Sequence, residues 1–143
     1  MIKFPYAISD FQLVRTGGYF YIDRTDRISL LEDADNQLLF LRPRRFGKSM
    51  LLSMLENYYD LARAEQFEQL FGNLAIGKNP TPLHNQYFVM VWDFSAVETS
   101  GDALQLKRSL YSHINGTIEQ FKVRYRNILS YEITNMSCAY PIL

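Results

Sequence analysis

The stretch from Leu38 to Leu55, LLFLRPRRFGKSMLLSML, constrains the chain more than any other. The apolar run Leu38–Leu41 predicts a buried strand. A basic pentapeptide, Arg42–Phe46, follows it, then Gly47-Lys48-Ser49, then Met50, Leu51, Met54, Leu55 and Tyr58 at helical spacing. Strand, loop, Gly-Lys-Ser and helix, in that order, are the setting in which a chain cradles polyphosphate. Amides of the loop and of the helix's first turn point at the anion, and the helix dipole favours negative charge there. In that reading Lys48 reaches the β- and γ-phosphates and the Ser49 hydroxyl ligates Mg²⁺.

The usual pattern G-x-x-x-x-G-K-[ST] has its first glycine where this chain has Arg42. Pro43 fixes its own φ and pushes Arg42 toward extended geometry. The loop entry is therefore expected to be stiff, with the cradle confined to Arg44, Arg45, Phe46, Gly47, Lys48 and Ser49 and closed by Met50. Taken alone, Gly-Lys-Ser also fits a basic strand-to-helix turn that holds nothing.

At 143 residues the chain suits one domain with a sizeable core. An aromatic content of 15% argues against disorder. The net charge is zero, so no global field draws the chain to nucleic acid or membrane. Positive charge is local instead, at Arg42, Arg44, Arg45 and Lys48. The single cysteine, Cys138, rules out an internal disulfide framework and fits a reducing compartment. No apolar run approaches the ~18 residues of a membrane span. The cytoplasm is the expected location.

Along the chain, Ser9 or Asp10 predicts a cap for a short helix that Gly17-Gly18 ends. Tyr19–Ile22 predicts a short strand, and Asp23–Asp26 a helix start with Ile28, Leu30 and Leu31 buried. Asp60–Phe71 predicts a further helix stopped at Gly72, and residues 77–82 a turn-rich connector. The run Tyr87–Phe94 predicts a second strand covered on both faces, as in a parallel sheet. Ser100-Gly101-Asp102 predicts a cap for a long helix carrying Leu106, Leu110, Ile114, Ile118, Phe121 and Tyr125. Alternation of strands and helices makes the expected class α/β, a partial parallel sheet flanked by helices.

Three segments together, Tyr19-Phe20-Tyr21-Ile22-Asp23-Arg24-Thr25, Leu41–Ser49 and the run to Asp93-Phe94-Ser95, resemble the predicted AAA-ATPase-like family. In that family a Y-x-D-K/R-T segment precedes a variant phosphate loop reading RPRRFGKS, so an arginine at position 42 is a family trait. The resemblance spans roughly residues 4–125. It implies a P-loop NTPase fold, with residues 1–129 as its N-terminal part, ATP and Mg²⁺ as ligands, and Lys48 as the catalytic lysine. Full-length relatives often continue into a PD-(D/E)xK nuclease-like domain, through which nucleic acid becomes a possible partner.

One departure from the family matters. Related proteins carry a later apolar strand ending in Asp-Glu, which holds Mg²⁺ through water and positions the attacking water. No such run occurs here. Asp93, after Val89-Met90-Val91-Trp92, is the candidate metal-side acid, and it is followed by Phe94. Residues 130–143 lose periodicity, which predicts an irregular tail on a truncated or frameshifted chain. The expectation is a domain that binds nucleotide without efficient turnover. Loss of later strands would also leave an apolar edge prone to self-association. An alternative function is a nucleic-acid-binding or assembly module using Arg42, Arg44, Arg45 and Lys48 as a phosphate clamp; an inert remnant is a third. His84 and His113 lack metal-ligand spacing.

Overall fold

The computed structural model describes residues 1–34 and 37–129. Two compact units divide the chain, the first running to Phe88 and the second starting at Val89. The expected irregular tail, residues 130–143, lies outside the described residues, as does Cys138.

The first unit is helical. Its elements are α1 (Phe11–Thr16), a 3₁₀ turn (Thr25–Arg27) running into α2 (Ile28–Glu32), α3 (Lys48–Tyr59), a second 3₁₀ stretch (Leu61–Gln66) running into α4 (Phe67–Phe71), and α5 (Ala75–Lys78). Phe11, Ile28, Met54, Tyr58, Leu70, Phe71, Leu74 and Ile76 form one buried cluster. Each such side chain removed from water contributes about 1.5–3 kcal/mol. Phe11 stacks on Phe71 with ring centroids 5.0 Å apart, and Tyr58 meets Phe71 edge-on at 5.4 Å. The i, i+4 spacing of Met54 and Tyr58 is what turns one side of α3 into this core.

The Tyr21-x-Asp23-Arg24-Thr25 segment acts as a clasp. Asp23 Oδ1 accepts from the Thr25 amide at 2.9 Å and from its hydroxyl at 2.7 Å, while Oδ2 accepts from the Ala75 amide at 2.7 Å. The buried Thr25 hydroxyl in turn accepts from the Ile76 amide at 3.2 Å. One tripeptide thus starts its own 3₁₀ turn and caps α5, fifty residues further on. Burial pulls the Asp23 carboxyl upward, but the bonds from Thr25 and Ala75 outweigh it and hold the group below its usual value. Tyr21 donates to Met54 Sδ at 3.6 Å, and burial together with the Asp23 charge pushes its phenol up to about 12.

The second unit is built on α6 (Ala103–Arg124). Asp102 Oδ1 accepts from the Gln105 amide at 2.7 Å and Gln105 Oε1 accepts from the Asp102 amide at 2.9 Å, a reciprocal capping box.

The expected parallel sheet is absent: no strand forms among the described residues. The one isolated bridge pairs Asp60 with Tyr87 in parallel, where the Leu61 amide donates to Tyr87 O and the Tyr87 amide to Tyr59 O, both at 3.0 Å. Leu38–Leu41 takes no regular secondary structure and has no ladder partner among the described residues, and Leu39 and Leu41 are 83% and 78% exposed. In the second run, both backbone groups of Val89 go to a side chain. Its amide donates to the Tyr125 hydroxyl at 2.8 Å, and that hydroxyl donates to Val89 O at 3.3 Å. Tyr19–Ile22 likewise makes single bonds, Phe20 N–H to Lys3 O among them, and no ladder. The physical reason is that an apolar run specifies only what it would bury. A strand also needs a neighbour to take up its peptide groups, and sequence periodicity does not supply one.

Candidate functional site

The loop from Arg42 to Lys48 closes on itself. The Lys48 ammonium curls back and donates to Arg42 O at 2.5 Å and to Pro43 O at 3.0 Å, so the side chain that ends the loop ties down its start. Two residues turn the backbone into the left-handed region, Arg45 (φ 68°) and Gly47 (φ 76°). Gly47 adopts this freely; Arg45 does so against a steric cost of about 1 kcal/mol. Left-handed residues interrupting a turn are how successive amides are brought to face one concavity. The left-handed turn at Arg45 has no signal in the sequence, since arginine does not favour that region.

Gly47 is the N-cap of α3, and it has no side chain with which to cap. The other helix starts differ. Asp10 caps α1, Asp60 caps the 3₁₀ stretch after α3, Asp93 caps a 3₁₀ turn over Phe94–Ala96, and Asp102 caps α6. The starts of the Thr25 turn and of α5 take acceptors from Asp23, and α2 and α4 continue 3₁₀ turns. Among the described residues α3 alone neither continues a tighter turn nor receives a side-chain acceptor. It also has no acidic residue in its first turn and begins on a lysine. Helix dipole, Lys48 and the exposed Arg44 and Arg45 therefore add positive potential at one point, where the first-turn amides lack acceptors.

A cleft of about 730 Å³ opens beside this point. Arg44, Arg45, Gly47, Lys48, Ser49 and Met50 line one side, which brings together six of the seven residues expected there. The seventh, Phe46, lines a second cleft of about 810 Å³ together with Arg42, whose guanidinium lies 5.4 Å from the Phe40 ring. The rest of the first cleft's lining is Pro5–Ser9, a segment that carries no motif. A left-handed Ala7 (φ 57°) marks it.

Asp93 lies in the second unit. Its Oδ1 accepts from the Ser95 hydroxyl at 2.6 Å and from the Ser95 amide at 3.0 Å, and these bonds hold the carboxyl below its usual range. Among the described residues no group of three or more His, Cys, Asp or Glu side chains is placed to hold a metal. His84 is structural: its Nδ1 lies 2.6 Å from Thr81 O and its ring 4.8 Å from that of Phe67. No described helix is long and apolar enough to cross a membrane.

The chain thus starts a helix at Gly47-Lys48-Ser49 behind a closed basic loop. The family described as Predicted AAA-ATPase matches residues 5–140, and the chain belongs to that family. No curated protein and no solved structure matches it.

Proposed function

We propose that the chain binds ATP with its polyphosphate at the mouth of α3. The observation that carries this reading is the open start of α3, the helix whose first-turn amides no side chain caps and whose first residue is Lys48. Membership of the predicted AAA-ATPase family supports it. Lys48 would leave the two loop carbonyls for the β- and γ-phosphates, exchanging neutral acceptors for charged ones and forming stronger bonds. Arg44 and Arg45 flank the same cleft. Ser49, exposed in the first turn of α3, fits a Mg²⁺ ion carried in by the nucleotide, because Mg²⁺ takes one or two protein ligands and completes its shell with phosphate and water.

Hydrolysis needs an oriented water and charge stabilisation beyond the loop lysine. With one Asp93 oxygen already engaged by Ser95 and no apolar run ending in Asp-Glu, this chain is proposed to bind without efficient turnover. Calorimetric titration of Mg·ATP into the wild type should give saturable binding that Lys48→Ala weakens by one to two orders of magnitude, roughly the value of a charge-assisted bond. Robust ATP hydrolysis surviving that substitution would end the proposal.

Nucleic acid is the second reading, favoured by the exposure of Arg44 and Arg45. Binding to single-stranded DNA that falls steeply with salt, without saturable ATP binding, would select it. The exposed Leu38–Leu41 run supports self-association, readable as a concentration-dependent sedimentation coefficient that Leu39→Lys lowers.

A further inference from the structure

We propose that the Pro5–Ser9 turn is the nucleoside wall of the first cleft and selects adenine over guanine, with the Tyr6 ring stacked on the base. This rests on the phosphate reading of α3 and adds the other end of the ligand.

The turn lines the same cleft as Lys48 and Ser49, and it is held there from both sides. Before it, the Phe20 amide donates to Lys3 O at 2.7 Å and the Phe4 and Phe20 rings meet edge-on at 5.5 Å. After it, the Phe11 amide donates to Ser53 Oγ at 2.9 Å, and Ser53 belongs to α3 itself. The wall and the phosphate loop are thus parts of one frame. A cleft of about 730 Å³ falls within the range of small-molecule sites, with room for more than a polyphosphate.

Tyr6 is 92% exposed, an aromatic ring that contributes nothing to the core. Ala7 is left-handed without being glycine, and such strained residues concentrate at ligand clamps. Among the described residues, no protein acceptor takes the Ala7 amide and no protein donor reaches the Ala7 or Ile8 carbonyl. An adenine edge, one acceptor beside one amino donor, is matched by one backbone amide and one backbone carbonyl. A guanine edge presents two adjacent donors and is best met by a carboxylate. No Asp or Glu lines this cleft, and the neighbouring Asp10 carboxylate is engaged by the Leu13 amide at 2.9 Å.

Titrations of the full chain with Mg·ATP, Mg·GTP and Mg·tripolyphosphate test this. ATP should bind about tenfold more tightly than tripolyphosphate, the gain a stacked base gives. It should also bind about tenfold more tightly than GTP, whose edge leaves the backbone amide and carbonyl of the turn mismatched. Tyr6→Ala should lower ATP affinity about tenfold and leave tripolyphosphate unchanged, while Tyr6→Phe keeps the wild-type value. Because Tyr6 is exposed, thermal melts of the variants should coincide with the wild type. An ATP-to-tripolyphosphate ratio unmoved by Tyr6→Ala, or equal affinity for ATP and GTP, overturns the wall while leaving the phosphate site standing. Failure of wild type to bind tripolyphosphate, or binding indifferent to Lys48→Ala, overturns the phosphate site and this inference with it.

Discussion

Two helices of similar importance begin in opposite ways. At α6 the chain satisfies its own amides: Asp102 and Gln105 exchange bonds across the first turn, and a carboxylate sits where the dipole favours one. At α3 the N-cap is a left-handed glycine without a side chain, and the first helical residue is a lysine whose ammonium turns back to the loop. An isolated helix gains nothing from the second arrangement, which forgoes a cap and puts a cation at the positive end of the dipole. The difference makes sense if the missing acceptor arrives with a ligand. Under the proposed function the α6 start serves stability and the α3 start serves binding, and substitutions should separate the two.

The largest effect should fall on ligand binding. Lys48→Ala removes a cation from the phosphates and should weaken ATP by roughly 10–100-fold, the value of a charge-assisted bond, with little change in melting temperature. Asp23→Ala should do the reverse. It uncaps both the Thr25 turn and α5 and should destabilise the first unit by about 2 kcal/mol in urea titrations.

The same carboxylate sets an acid dependence. Its value in the fold lies below the ~3.9 of an unfolded aspartate, so its stabilisation is complete above that value and is lost as pH falls through the lower one. Asp23→Asn should flatten that part of the acid-unfolding curve; an unchanged curve would show that the clasp does not hold the fold.

Smaller effects sharpen the contrast. Gly47→Ala meets no atom within 4 Å, so its cost is conformational, about 1 kcal/mol, and should appear in stability and ATP affinity together. Asp102→Ala should cost about 1 kcal/mol of stability and leave ATP affinity unchanged. Equal effects of these two substitutions on binding would erase the distinction between the helices.

What the residues disclosed in advance follows the same division. A cap at Ser9 or Asp10, a cap within Ser100-Gly101-Asp102 and a helix behind Gly47 are local events, settled within a turn of chain, and were legible; the structure picks Asp10 and Asp102 and adds Gln105 to the second cap. The clasp was not, because Asp23 acts on Ala75 across a distance that no local pattern encodes. The sheet was misread for a related reason. Leu38–Leu41 and Tyr87–Phe94 have strand composition, but composition does not supply the neighbouring strand, and Val89 bonds to a tyrosine hydroxyl instead. Six of the seven expected loop residues do share one cleft, whereas the rest of its lining, Pro5–Ser9, carries no motif and emerged only from the fold.

The most direct measurement is amide NMR on the uniformly ¹⁵N-labelled chain during titration with Mg·ATP. The amides of Gly47, Lys48, Ser49 and Met50 should shift saturably together, while those of Ala103, Leu104 and Gln105 stay still. Silence at the start of α3, or equal movement at both helix starts, would contradict the account.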